Sequence, residues 1–166
     1  YAVATGRADR DIAADLTGAL KPRTVRHAAT LLDPSEIGQL LRSIDAYSGS
    51  LIVKSALQLS PLLFVRPGEL RTMEWKEIDW ETARWEIPAE KMKMRQPHIV
   101  PLASQSLDVL RQIHPLTGRG DYVFPSARKG GRPLSDNGVR TALRSLGYTN
   151  EQITPHGFRA MARTLL

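Results

Sequence analysis

The sequence predicts an α+β fold, mainly α-helical, with one small antiparallel β-sheet. Three observations carry this expectation. Apolar residues recur at three- and four-residue spacing behind helix-start signals in several stretches. Between Trp75 and Leu102 the period shortens to two, the signature of strands. With 166 residues, 42% of them hydrophobic, the chain can fill the core of one ordinary domain.

Residues 1–32 differ from the rest. Ile12, Leu16 and Leu20, four apart, read as the tail of a helix, and Lys21, Arg23, Arg26 and His27 make a basic connector. Asp33-Pro34-Ser35-Glu36 then opens the first clear helix: Asp33 can cap, Pro34 suits the first helical position, and Glu36 stands where a capping-box acid belongs. Its apolar stripe is Ile37, Leu40, Leu41 and Ile44. Leu51 to Val65 reads as a helix buried all round, with a break or kink at Pro61. Arg66-Pro67 starts a short helix through Met73.

Trp75, Ile78 and Trp80, then Trp85 and Ile87, alternate with polar residues as short strands, and His98 to Leu102 supplies another after the polar loop AEKMKMRQP. Ser104 is placed to cap a helix holding Leu107, Leu110 and Ile113. Tyr122 to Phe124 is a short extended piece, followed by the basic loop SARKGGRP. Ser135 is read as the cap of a helix with Val139, Ala142, Leu143 and Leu146, closed by Gly147. Thr154-Pro155 starts a last helix that reaches Leu166.

Charge and composition narrow the function. Lys and Arg number 23 against 17 Asp and Glu, a net charge of +6 that points to a polyanionic partner. Cysteine is absent, so disulfides and thiolate metal sites are excluded. The apolar run 51–65 is interrupted by Lys54, Gln58, Ser60 and Pro61 and cannot span a bilayer, and the first twenty residues carry no signal-peptide pattern. These features are read as a soluble, cytoplasmic protein.

No phosphate-binding Walker loop, GxSxG elbow, HExxH helix or other metal-ligand spacing is present, and no cofactor is expected. What stands out are cations at element boundaries: Arg66, Lys93, His156 and Arg159. His156 and Arg159, three apart at a helix start, share one face near its positive end. Two Arg, one Lys and one His suit a phosphodiester. They can neutralise a pentacoordinate phosphorus, with Lys or His moving the protons.

The segments LLFVRPGELRTMEW, IPAEKMKMRQPHIVPL and TPHGFRAMARTLL resemble, in order and spacing, the three motifs of tyrosine recombinases, above all the integrases of prophages and genomic islands. By that resemblance, Arg66 is the first-motif arginine and Glu69 the acid three residues later. Lys93, eight before Pro101, fits the lysine on a β-hairpin turn, with Lys91 the competitor, and His156-x-x-Arg159 is the third motif. Residues 33–166 would then form the catalytic domain, truncated before its nucleophilic tyrosine. Residues 1–32 would be the end of the core-binding domain and its linker.

The resemblance implies site-specific recombination of double-stranded DNA attachment sites by a tetramer, through a 3′-phosphotyrosyl intermediate, as in type IB topoisomerases. Arg66 and Arg159 would clamp the non-bridging oxygens, Lys93 would protonate the leaving 5′-oxygen, His156 would hydrogen-bond the phosphate or assist proton transfer, and Glu69 would buttress Arg66. Tyr1, Tyr47, Tyr122 and Tyr148 all precede the last motif, so residues 1–166 alone are expected to be inactive.

Plainer readings stand beside these. Arg66 could be an ordinary helix-terminal surface arginine, Lys93 part of a solvated hairpin tip, and His156 only a helix starter. His27, His98 and His114 are read as structural or surface residues, and Trp75, Trp80 and Trp85 as core and sheet-face residues. Lys91, Arg95, Arg128, Lys129, Arg132, Arg140 and Arg144 are candidate DNA-backbone contacts. A non-catalytic DNA-binding regulator would use the same basic surface without needing the four cations to converge. A type IB topoisomerase-like transferase would need the pocket but no partner protomer.

Overall fold

The computed structural model describes residues 1–11, 14–16, 18, 19, 28–127 and 131–165; Ile12, the basic connector and the loop residues Arg128 and Lys129 lie outside the described residues. Leu16, the described member of the N-terminal apolar set, is exposed in a 3-10 turn. The main body is built from α1 (Pro34–Asp45), α2 (Leu51–Leu63), α3 (Pro67–Arg71), β1 (Ile78–Asp79), β2 (Arg84–Ile87), β3 (His98–Pro101), α4 (Ser104–Thr117), α5 (Gly138–Ser145) and α6 (Gly157–Leu165).

The start of α1 follows the sequence reading at Asp33 and Pro34, while Glu36 contributes its backbone N–H to the cap rather than a capping-box carboxylate. Asp33 Oδ1 accepts from the backbone N–H of Ser35 at 2.9 Å and of Glu36 at 3.2 Å, and Pro34 takes the first turn. Leu40 and Ile44 face the core while Leu41 stays partly exposed.

α2 is the hub, touching α1, α3, α4, α5 and α6. Ala56, Leu57 and Leu59 are almost wholly buried. Truncating such a leucine costs roughly 2–5 kcal/mol. Burial is not complete all round, because Leu62 remains partly exposed. The helix runs two residues past Pro61 and stops at Phe64, whose left-handed backbone (φ 51) turns the chain toward Arg66. Pro61 lacks the N–H of the last turn, so termination is deferred only to that turn.

The sheet has order β1-β2-β3, all antiparallel. Ile78 pairs with Trp85, Trp85 with Val100 and Ile87 with His98. Ile78, Trp85, Ile87 and Val100 turn their side chains into the core, as period-two alternation requires. The strand expected from Trp75 to Trp80 shrinks to Ile78–Asp79. Trp75 instead opens a 3-10 turn (Trp75–Glu77), because the Glu77 carboxylate accepts from the Glu74 N–H at 3.1 Å and curls the backbone. Trp80 falls in the β1–β2 turn and stacks on Trp75 (centroids 6.2 Å apart), with His114 edge-on to both.

Three helix starts differ from the sequence reading. Ala103, not Ser104, flanks α4; Asn137, not Ser135, flanks α5; and α6 begins at Gly157, after a turn at Pro155-His156. Ser135 still contributes one turn earlier, its Oγ accepting from the Asn137 N–H at 3.3 Å. α5 closes as expected: Gly147 (φ 92) donates to Arg144 O and Tyr148 donates to Leu143 O, a Schellman closure. No helix among the described residues is long and apolar enough to cross a membrane.

Candidate active site

The loop from α2 to α3 builds the first part of the site. Phe64 bends the chain, Val65 is buried, and Arg66 takes the N-cap position of α3 ahead of Pro67. Glu69, with a side chain 6% exposed, holds Arg66 twice. Its Oε2 accepts from the Arg66 N–H at 2.9 Å and its Oε1 from Nη1 at 2.7 Å. One carboxylate thus closes the helix start and fixes the guanidinium, leaving the other guanidinium nitrogens for an anion.

α6 brings the second part. Arg159 Nη1 donates to Phe64 O at 3.1 Å, which carries this arginine to the bend just before Arg66. The left-handed turn at Phe64 is what presents that carbonyl. His156 immediately precedes α6 and is exposed. It lines a cleft of about 460 Å³ together with Pro67, Asp136, Asn137 and Arg140. Phe64 and Pro67, on either side of Arg66 in sequence, thus accept from Arg159 and line the cleft with His156, respectively. The two acids beside them are already paired, Glu69 with Arg66 and Asp136 with Arg71.

The floor of this region is tight. Thr30 Oγ1 donates to Gly157 O at 2.8 Å, and the Thr154 N–H donates to Ala29 O at 3.2 Å. A Cβ on Gly157 would lie 2.3 Å from Ala29 O, so the position next to His156 has no room for a side chain.

Lys93 and Lys91 part company. Lys93 is exposed on the β2–β3 hairpin and has no hydrogen-bond or ion-pair partner among the described residues. It is not part of the His156 cleft. Lys91 turns inward: its Nζ donates to Thr72 O at 2.9 Å, contacts Glu74 Oε1 at 2.6 Å and pairs with Glu77. Glu77 also accepts from Trp85 Nε1 at 3.0 Å. Hydrogen bonds from Lys76 and then Lys91 hold the Glu74 carboxyl below its ordinary range.

The remaining basic candidates divide in the same way. Arg95 (φ 51) and Arg132 are exposed, and Arg140 reaches Asn150 Oδ1 at 3.2 Å from the cleft wall. Arg144 is half-buried and donates to Ile153 O at 2.5 Å and Asn150 Oδ1 at 3.1 Å. Burial pulls its pKa down, followed by the charge of Arg140. Arg128 and Lys129 lie outside the described residues. Sequence reading missed Glu74 and Glu77; the Glu-x-x-Glu spacing around Trp75 was their available signal.

The phage integrase family profile matches residues 30–166. The chain is 36% identical over 179 residues to the integrase of Enterobacteria phage P4, covering all of this chain and 40% of that protein. It is also 36% identical over 166 residues to the prophage integrase IntZ of Escherichia coli K12, again covering all of this chain and 40% of that protein. It thus spans about two fifths of the length of these relatives.

Among solved structures, the lambda integrase dimer bound to a COC′ core site superposes with a TM-score of 0.66 at 19% identity, over 99% of this chain and 47% of that one. XerA recombinase superposes at 0.65 and 21% identity, over 88% and 52%. At these identities the superpositions speak to the fold, which is the same helical body with a three-stranded sheet. On the family match and these identities, the chain belongs to the phage integrase family of tyrosine recombinases and carries its catalytic-domain fold.

Proposed function

We propose that the protein carrying this chain is a site-specific DNA recombinase that integrates or excises a mobile element. The observation that supports the reading is the Arg159–Phe64 O hydrogen bond, which ties α6 to the bend two residues before Arg66, together with the cleft that His156 lines with Pro67. Two arginines held at one bend, with the neighbouring acids Glu69 and Asp136 already paired, suit a dianionic, pentacoordinate phosphorus. The relatives point the same way: the P4 protein is an integrase, and lambda integrase is known bound to a core site as a dimer and to a Holliday junction as a tetramer.

In this reading a tyrosine outside residues 1–166 attacks the scissile phosphorus. The tyrosine O–P bond forms and the P–O5′ bond breaks. Lys93 gives a proton to the departing 5′-oxygen, and His156 hydrogen-bonds the phosphate or takes the tyrosine proton. Arg66 and Arg159 hold the non-bridging oxygens, and Glu69 orients Arg66. Arg95, Arg132, Arg140 and the loop residues Arg128 and Lys129 follow the DNA backbone. The energy of the broken phosphodiester is kept in the 3′-phosphotyrosyl bond, so the partner strand's 5′-hydroxyl can reverse the step. The work is that of a tetramer on paired attachment sites in the cytoplasm.

The test is covalent capture. Full-length protein on a nicked attachment site should yield a protein–DNA adduct and should recombine paired sites. Residues 1–166 alone should bind duplex DNA with steep salt dependence and give no adduct. Relaxation of a single supercoiled plasmid without recombination of paired sites would favour a topoisomerase. Binding without any adduct from the full-length protein would favour a regulator.

A further inference from the structure

The inward turn of Lys91 has a consequence for the hairpin that carries Lys93. Lys91 has three oxygen partners, and they come from two different elements: Thr72 at the end of α3, and Glu74 and Glu77 around the following 3-10 turn. Glu77 is in turn committed to Trp85 Nε1 on β2 and to the Glu74 N–H through Oε2, while Oε1 takes Lys91, so both its oxygens face fixed donors. The Lys91 side chain is 21% exposed and that of Glu77 only 4%. A charge this enclosed stays in place only while its partners do.

The same α3 that ends at Thr72 begins at Arg66. Lys91 precedes Lys93 by two residues, and between them the 3-10 turn Ala89–Lys91 ends and the chain leaves for the exposed tip. Beyond Lys91 the described contacts of the tip are the packing of Met92 against the core and two short backbone bonds, Met92 N–H to Ala89 O at 3.1 Å and Arg95 N–H to Met92 O at 3.0 Å. Lys91 therefore supplies the polar tie of the hairpin base to α3 and the Glu74–Glu77 turn.

We infer that Lys91 is a positioning residue: by locking the hairpin base onto Glu74, Glu77 and the end of α3, it sets where Lys93 stands relative to Arg66. The inference rests on the proposed role of Lys93 as proton donor to the 5′-oxygen. It removes Lys91 from the set of DNA-backbone contacts and from competition for the proton-donor role, since all three contacts of its ammonium are internal. A misplacement of a proton donor by about 1 Å is enough to cost on the order of 10²-fold in rate.

The experiment uses full-length protein and nicked attachment sites of two kinds, one with the natural 5′-oxygen and one with sulfur at that bridging position. A thiol ionises near pH ~8.5, so the thiolate departs without needing a proton. Lys91→Met is expected to slow adduct formation on the oxygen substrate by roughly 10–10²-fold. It should leave DNA affinity and its salt slope unchanged and regain near-normal rate on the sulfur substrate. Lys91→Arg, which keeps the charge for the two carboxylates, should recover most of the loss.

A defect of Lys91→Met that persists on sulfur, or one that appears as weaker, less salt-dependent DNA binding, overturns the inference. Lys93→Ala serves as the separate check: if sulfur does not rescue it, the proton-donor reading of Lys93 is what fails. Should Lys91→Met not fold by thermal unfolding, Glu74→Gln weakens the clamp while keeping Glu77 and Thr72 in contact. Its expected outcome is a smaller, sulfur-rescued defect, and no defect at all would overturn the proposal.

Discussion

Arg159 reaches from α6 to the carbonyl of Phe64, 3.1 Å away, and so joins α6 to the bend that leads to Arg66. Arg159 is otherwise exposed, so the bond contributes more to placement than to stability. Arg159→Ala should leave the thermal midpoint of residues 1–166 nearly unchanged. In the full-length protein it should lower adduct formation by on the order of 10²-fold or more, because it removes a donor aimed at charge that develops in the transition state. A large drop in melting temperature with normal adduct formation would contradict this assignment.

Glu69 has a double commitment, to the Arg66 N–H and to its guanidinium. Glu69→Ala uncaps α3 and leaves that N–H without its acceptor, which should cost about 1–2 kcal/mol in urea unfolding. The Arg66 side chain is partly exposed, so most of this cost is assigned to the cap and little to the ion pair. Stability equal to wild type would mean that water replaces the carboxylate at no cost.

Arg140 and Arg144, one turn apart on α5, should behave differently. Arg144→Ala strips the buried Ile153 carbonyl of its donor and should destabilise by about 1–3 kcal/mol. Arg140→Ala should change stability by less than about 0.5 kcal/mol. It should also reduce the salt slope of DNA binding by about 1. Equal effects of the two substitutions on both measurements would sink the distinction.

Glu74 links stability to pH. Hydrogen bonds from Lys76 first and Lys91 second hold its folded pKa below the ordinary 4.5. Its contribution is therefore fully present above pH 4.5 and is lost as pH falls through the lowered folded value. The stability difference between wild type and Glu74→Gln should be constant above that point, shrink below it, and be smaller in high salt. Urea midpoints measured from pH 7 to pH 3 would show it, and a gap that widens toward acid would refute it.

Much of this was legible from local signals. The Asp33-Pro34 start, the buried Leu40 and Ile44 of the α1 stripe, the Gly147 closure and the contact of Arg66 with Glu69 are all set within four or five residues, whereas Leu41 of the same stripe stays exposed. Trp75 did not take the expected form, because its turn is fixed by Glu77, and Glu77 is fixed by Trp85 and Lys91, eight and fourteen residues further on. Lys91 and Lys93 are the same residue type in one polar run. Only the long-range placement of two acids decides which points inward. Arg144 was read as an outward cation for the same reason, since its partner Ile153 O comes from the loop beyond α5.

The tight seat of Gly157 on Ala29 has a consequence for how the molecule can be cut. Thr30 and Ala29 are bonded to the segment around Gly157, so the stretch just before α1 and the start of α6 are stapled together beside His156. The bonds between residues 29–30 and residues 154–157 act as a clasp next to His156. Opening the clasp by removing residues 28–31 would strip Gly157 O and the Thr154 N–H of their partners, although no catalytic candidate would be deleted. A relocation of the termini to an outlying turn, such as Glu81–Ala83, would leave that clasp shut.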